Sequence, residues 1–248
     1  MPSQTDYAAV ADGLVKELSA LRFSTPVTHV YNPLEYAREP FAQYMERYAN
    51  RPCEIVLLGI NPGPWGMAQT GVPFGAVDMV RDWLRIEGPV GRPRREHPKR
   101  PVRGFSCPRS EVSGMRLWGW ARDTFRTPAR FFRRFFVYNY CPLMFLEESG
   151  RNRTPDKVPA PEREPLFDVC DRALRGLIER LQPRCVLGVG VFAETRAKEA
   201  LGGLDVAFGR ILHPSPANPA ANRGWGARVT AQLLSYGIRV GSGDRAIS

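Results

Sequence analysis

Four short apolar runs, spaced along the chain and separated by helix-period segments, do most to limit what it can become. They are Glu54–Leu58 (EIVLL), Phe135–Tyr138 (FFVY), Cys185–Val189 (CVLGV) and Val206–Leu212 (VAFGRIL). Near-continuous hydrophobicity over four to seven residues is the mark of a strand buried on both faces. The segments between them read as helices: Tyr7–Leu21, Phe41–Tyr48, Ala76–Leu84, Gly114–Phe125 with Ser113 as its cap, Pro165–Leu181, Val191–Leu201 and Gly226–Tyr236. Proline at the start of Pro165–Leu181 sits where a missing N–H costs nothing. Strands alternating with helices predict an α/β fold with a parallel sheet covered on both faces.

Open sheets of this kind build their sites beyond the carboxyl ends of the strands. Three loops leave predicted strands there: Gly59–Gly75 (GINPGPWGMAQTGVPFG), the loop after Asn139 in Val137–Leu143, and His213–Trp225 (HPSPANPAANRGW). They predict one pocket holding Asn61, Asn139 and His213. Those residue types suit a planar amide-like ring and the departure of an anion.

In the first loop, Asn61-Pro62-Gly63-Pro64 forms a stiff turn with backbone open to close approach. An ordinary turn is the plain alternative, but a long loop punctuated by glycine and proline more often wraps a ligand. It contains neither a G-x-x-x-x-G-K-[ST] nor a G-x-G-x-x-G phosphate cradle. Phe74, set among glycines rather than on a periodic face, reads as a stacking platform. Asn139 is either a turn residue or an edge reader, because a carboxamide offers one acceptor and one donor. That pattern matches uracil N3–H and O4 and mismatches cytosine. His213, stiffened by Pro-Ser-Pro, suits donation to a developing anion.

Length and charge narrow the class further. At 248 residues the chain fits one domain, 1–248, with 241–248 expected to fray. Basic residues outnumber acidic ones, 35 to 25, and all but Lys16, Lys99, Lys157 and Lys198 are arginine. A polyanionic partner, most simply nucleic acid, is the expectation. The arginines of Arg92–Arg109 and the set Arg126, Arg130, Arg133 and Arg134 are candidate phosphate contacts. No apolar run reaches the roughly 20 residues of a membrane span. The amino terminus has no signal-peptide core, so a cytoplasmic location is expected, nucleoid-associated in a bacterium. A monomer is the default. Five cysteines without a C-x-x-C, and His29, His97 and His213 without ligand spacing, predict no metal and no cofactor.

With these residues in view, the chain resembles the single-strand-selective monofunctional uracil-DNA glycosylases of the uracil-DNA glycosylase superfamily. Gly59–Gly75, Cys107–Trp118, Val137–Leu143, Ser149–Pro155 and His213–Trp225 carry the likeness. It implies a three-layer α/β/α sandwich around a short, mainly parallel four-stranded sheet. It also implies an enzyme that flips uracil from single- or double-stranded DNA and hydrolyses the N-glycosidic bond without cutting the backbone. Carried over, Asn61 orients water and His213 stabilises the charge on uracil O2. Phe74 stacks, Asn139 reads the edge, and Gly63 and Met67 flank the 5-position, leaving room for water or 5-hydroxymethyl. The loop from Pro214, Ser215, Pro216, Ala217 and Asn218 to Asn222 corresponds to a wedge. Ala217 replaces a usual arginine, Ile60 a methionine and Trp65 a phenylalanine.

Because Asn61 cannot take a proton, the bond must break mainly by departure of the uracil anion, which places the main burden on His213. No lysine follows the motifs, so no Schiff-base step is expected. The alternatives are a superfamily glycosylase shifted toward xanthine or other deaminated bases, and a catalytically weak DNA-binding homologue.

Overall fold

The computed structural model describes residues 7–241, with side chains from Val10 onward. The expected frayed tail therefore lies, beyond Gly241, outside the described residues. In chain order the helices are α1 Tyr7–Ala20, α2 Pro33–Tyr36, α3 Arg38–Tyr48, α4 Met67–Thr70, α5 Val112–Phe125, α6 Pro128–Phe132, α7 Ala160–Leu181, α8 Val191–Ala200 and α9 Trp225–Ser235. The strands are β1 His29–Tyr31, β2 Ile55–Gly59, β3 Phe135–Asn139, β4 Met144–Leu146, β5 Asn152–Arg153, β6 Cys185–Val189 and β7 Ala207–Ile211.

The four apolar runs form one sheet in the order β3-β2-β6-β7, and every pairing is parallel. All residues of β2, β3 and β6 are buried, as strands covered on both faces require. β7 lies at the edge and exposes Ala207 and Arg210. At the other edge, the buried Tyr44 of α3 donates its hydroxyl to the Val137 carbonyl of β3 (2.7 Å), satisfying an outward backbone acceptor. Helices α1, α7 and α8 pack together as one layer, and α5, α6 and α9 as another, so the architecture is α/β/α.

Several local expectations are corrected. Ala76–Leu84 is helical as read, from Val77 to Trp83, but Met79–Trp83 is wound as a π-helical turn rather than as α-helix. Ser113 does not cap α5; the cap position is Glu111, and it makes no side-chain capping bond. Helix α7 begins at Ala160, where Pro161 takes the early position, and Pro165 lies inside the helix. Helix α3 starts three residues earlier than read, with Pro40 in its first turn. A second, antiparallel sheet, β1-β4-β5, was also not foreseen. Strands of two or three residues carry too little alternation to be seen as a pattern.

Candidate functional site at the carboxyl edge of the sheet

Register brings the first two site loops together. Gly59 ends β2 directly opposite Asn139 at the end of β3, and Val189 ends β6 opposite Ile211, two residues before His213. The absence of a side chain at Gly59 is what allows closure: a methyl there would collide with Asn139 Oδ1 and with the ring of Phe74. The Phe74 and His213 rings stand 6.4 Å apart, tilted by 49°. Phe74 is buried and holds a φ of 54°, a left-handed conformation that phenylalanine adopts only under constraint. The buried Trp118 supplies one constraint, donating Nε1–H to the Pro73 carbonyl (3.2 Å).

Each polar side chain has one atom committed and one left over. Asn61 donates Nδ2–H to the Leu143 carbonyl (3.2 Å), with the Arg153 carbonyl at the limit of contact (3.5 Å). Its Oδ1 is thereby turned away as a free acceptor. Buried Asn139 directs Nδ2–H onto Met67 Sδ (3.2 Å) and lays Oδ1 beside Gly59. This orders the amide with its donor on the Met67 side and its acceptor on the other. His213 accepts the Ser215 backbone N–H at Nδ1 (3.1 Å). A neutral imidazole so bonded carries its proton on Nε2, which becomes a donor. Burial lowers the His213 pKa and favours that neutral form.

Around these groups lies scaffolding that the sequence reading did not single out. Gln69 donates to the Pro64 and Pro101 carbonyls and accepts from Arg103 N–H, stapling the first loop to the basic loop. Asn152 Nδ2 holds the Pro62 carbonyl (2.9 Å). Beside Asn139, the Tyr140 hydroxyl donates to Asp171 (2.7 Å), which pairs with Arg196 (2.5 Å). Arg116 on α5 donates to the Pro214 carbonyl (2.9 Å) and to Asn222 Oδ1 (2.8 Å), clamping both ends of the third loop. These are dispersed side chain–backbone bonds, and no spacing rule announces them.

The expected wedge is divided by the structure. Pro216 and Ala217 are exposed, Ser215 and Asn218 are partly so, and Pro214 is buried as the base of the loop rather than part of its surface. The basic residues divide as well. Arg92 and Arg94 are paired with Glu96 and Glu35, whereas Arg103 and Arg109 are exposed without a carboxylate partner among the described residues. Arg109 and Arg100 lie over the Trp65 ring, at 4.5 and 5.5 Å. Arg126, Arg130, Arg133 and Arg134 precede β3 and so sit at the opposite, amino edge of the sheet, where Arg134 pairs with Glu54. They cannot serve the same site.

Among the described residues no three His, Cys, Asp or Glu side chains gather as metal ligands, and no helix is long and apolar enough to cross a membrane. All five cysteines are free and buried.

Comparison with known proteins gives the family and the fold. Residues 46–233 match the model of the uracil DNA glycosylase superfamily. The single-strand selective monofunctional uracil DNA glycosylase of Mus musculus is 53% identical over 224 residues, covering 90% of this chain and 80% of the mouse protein. The Bos taurus protein of that name is 49% identical, covering 96% of this chain and 91% of its own. The crystal structure of wild-type Pedobacter heparinus SMUG2 shares the fold, with a TM-score of 0.64 at 15% identity over 92% of this chain and 96% of that one.

Proposed function

Because this chain belongs to the uracil DNA glycosylase superfamily and is a uracil-excising enzyme acting on DNA, we propose that the strand-end site hydrolyses the N-glycosidic bond by stabilising the departing base. A uracil extruded from the strand stacks on Phe74. Asn139 donates Nδ2–H to O4 on the Met67 side and accepts N3–H at Oδ1. As the glycosidic bond lengthens, negative charge collects on O2 and His213 Nε2–H donates to it. Asn61 Oδ1 accepts from the water that then adds to the oxocarbenium-like sugar, and its amide geometry aims that water without deprotonating it. The product is an abasic site in an intact strand. Gly63 and Met67 lie near the 5-position, with room for water or a 5-hydroxymethyl group, and Pro216 and Ala217 are the loop residues that enter the gap left by the base.

The observation that carries this reading is the commitment of His213 Nδ1 to the Ser215 N–H, which leaves a neutral donor at Nε2. A positioned donor of this kind contributes about 2.7–4 kcal/mol, or 10²–10³ in rate. With Ala217 lacking a long wedge side chain, unpaired uracil is the better substrate. We also infer a monomer working in the cytoplasm, associated with the nucleoid if the cell is bacterial.

The test is a single-turnover assay on a single-stranded oligonucleotide with one uracil, in EDTA, read by alkaline cleavage. Wild type is expected to cleave at the uracil. His213→Ala is expected to be slowed by 10²–10³ with the dissociation constant for the same oligonucleotide nearly unchanged. An uncleaved strand in the first case, or a pure affinity loss in the second, contradicts the proposal.

A further inference from the structure

Helices α1 and α7 each carry an interior glycine, Gly13 and Gly176, that neither packing nor backbone requires. A methyl added at either would meet nothing within 4 Å. Neither has a positive φ, and glycine inside a helix costs stability relative to alanine. Both face one cleft of about 450 Å³ between α1, α3 and α7. Its walls are apolar, formed by Leu14, Leu34, Phe41, Met45, Val169 and Leu177. Protein interiors are close-packed, so an apolar space of this size among helices calls for an occupant.

The polar groups of the cleft are few. Tyr138, the residue before Asn139 on β3, lines it; the side chain is 8% exposed and its hydroxyl makes no hydrogen bond among the described residues. Burial raises the phenol pKa, so the group stays a neutral donor. A buried hydroxyl without a partner is costly, and an acceptor placed in the cleft would relieve that cost. At the mouth, Arg172 of α7 pairs with Glu17 of α1, and both are more than half exposed. Arg180 lines the cleft as well and is engaged too. The described lining therefore offers a neutral donor and apolar walls, with its charges already committed.

We propose that this cleft binds a small uncharged molecule with an apolar body and one acceptor oxygen, which takes the hydrogen bond of the Tyr138 hydroxyl. The volume is that of a small-molecule site. A ketone, ester or ether on an aliphatic or fused-ring body has the required chemistry. A carboxylate or phosphate would be matched only by breaking the Arg172–Glu17 pair. None of the lining residues belongs to the strand-end site, so the assignment does not depend on the reaction above.

The probe for the test is 6-propionyl-2-dimethylaminonaphthalene, an uncharged naphthalene ketone whose emission moves to the blue in apolar surroundings. Titration of the full chain is expected to give saturable, blue-shifted binding of one molecule per chain, which a single-stranded uracil oligonucleotide does not displace. Gly176→Leu fills the cleft and is expected to weaken binding by about tenfold or more. Its uracil excision is expected to stay within about threefold of wild type, because the two sites are distant and share no residue. Tyr138→Phe keeps the apolar contacts and is expected to weaken binding by about three- to tenfold. If Gly176→Leu does not fold, as read by circular dichroism, Gly13→Leu fills the same space from the other helix. Absence of saturable binding overturns the assignment, as does binding that both glycine variants leave unchanged. Displacement by the oligonucleotide places the probe in the strand-end site and overturns it too. Tighter binding of the anionic 1-anilinonaphthalene-8-sulfonate contradicts the uncharged class. Probe binding with the expected variant effects sustains the cleft even in a chain that excises no uracil.

Discussion

In the proposed reaction two amides and an imidazole act through one hydrogen-bonding atom each, because each has spent the other on the protein. Asn61 has given its donor to Leu143, Asn139 its donor to Met67, and His213 its acceptor to Ser215. An untethered amide would flip and lose its reading of the ring; an untethered imidazole would present either tautomer. Glu111 is the opposite case, a carboxyl without a hydrogen-bond or ion-pair partner among the described residues, and its cost is measurable. Its carboxyl is raised from 4.5 to about 7 by burial alone. Between those values the folded protein keeps a proton that the unfolded chain has released, so stability falls as pH rises through that window and is flat above it. The shift corresponds to roughly 3 kcal/mol at most. Urea unfolding of Glu111→Gln beside wild type is expected to show a variant more stable at pH 8, with the advantage shrinking toward pH 4.5. Equal advantage at both pH values removes the carboxyl as the cause.

At the scale of elements, the site exists because strand ends abut in register and the last residue of β2 is glycine. Gly59 admits Asn139 and the Phe74 ring into the same space, so the β2–β3 pairing and the base-binding groups are one construction. Gly59→Ala must move one of them. Phe74 is the one to yield, since its φ of 54° is already strained and Asn139 belongs to a buried strand. The variant is expected to remain folded, to lose about 1–3 kcal/mol of stability by the overpacking estimate, and to excise uracil at least a hundredfold more slowly. Circular dichroism melting and the alkaline-cleavage assay check the two parts, and near wild-type excision would show that the ring and the amide do not share the space as described.

For the whole molecule, charge is distributed unequally about the sheet. The net charge of +10 predicts attraction to DNA but does not say where. The carboxyl edge holds Arg103 and Arg109, without acidic partners among the described residues, beside the first loop, while the Arg126–Arg134 set faces away at the amino edge. Arg109→Gln is therefore expected to weaken binding of any single strand, whatever its bases, and to reduce the salt slope of log K by about 1. Arg130→Gln is expected to change neither. Binding titrations at several salt concentrations decide it, and a loss at Arg130 equal to that at Arg109 would place DNA on the wrong edge.

The sheet and the family were legible before any coordinates. Strands buried on both faces must be apolar throughout, and long loops of asparagine, glycine and proline at their ends have few other uses. The five segments that resemble the glycosylase family lie in order along the chain, and the superfamily match covers them. Short elements escaped because they hold fewer residues than a period needs: β1, β4 and β5. The orientation of each amide, the proton on His213, the clamp of Arg116 and the unpaired carboxyl of Glu111 escaped for a different reason. Each depends on a contact between residues distant in the chain, such as Asn61 with Leu143 or Glu111 with Gly63. A hydrogen bond or a steric collision is a property of positions in space, and the order of residues lists the participants without saying which of them meet.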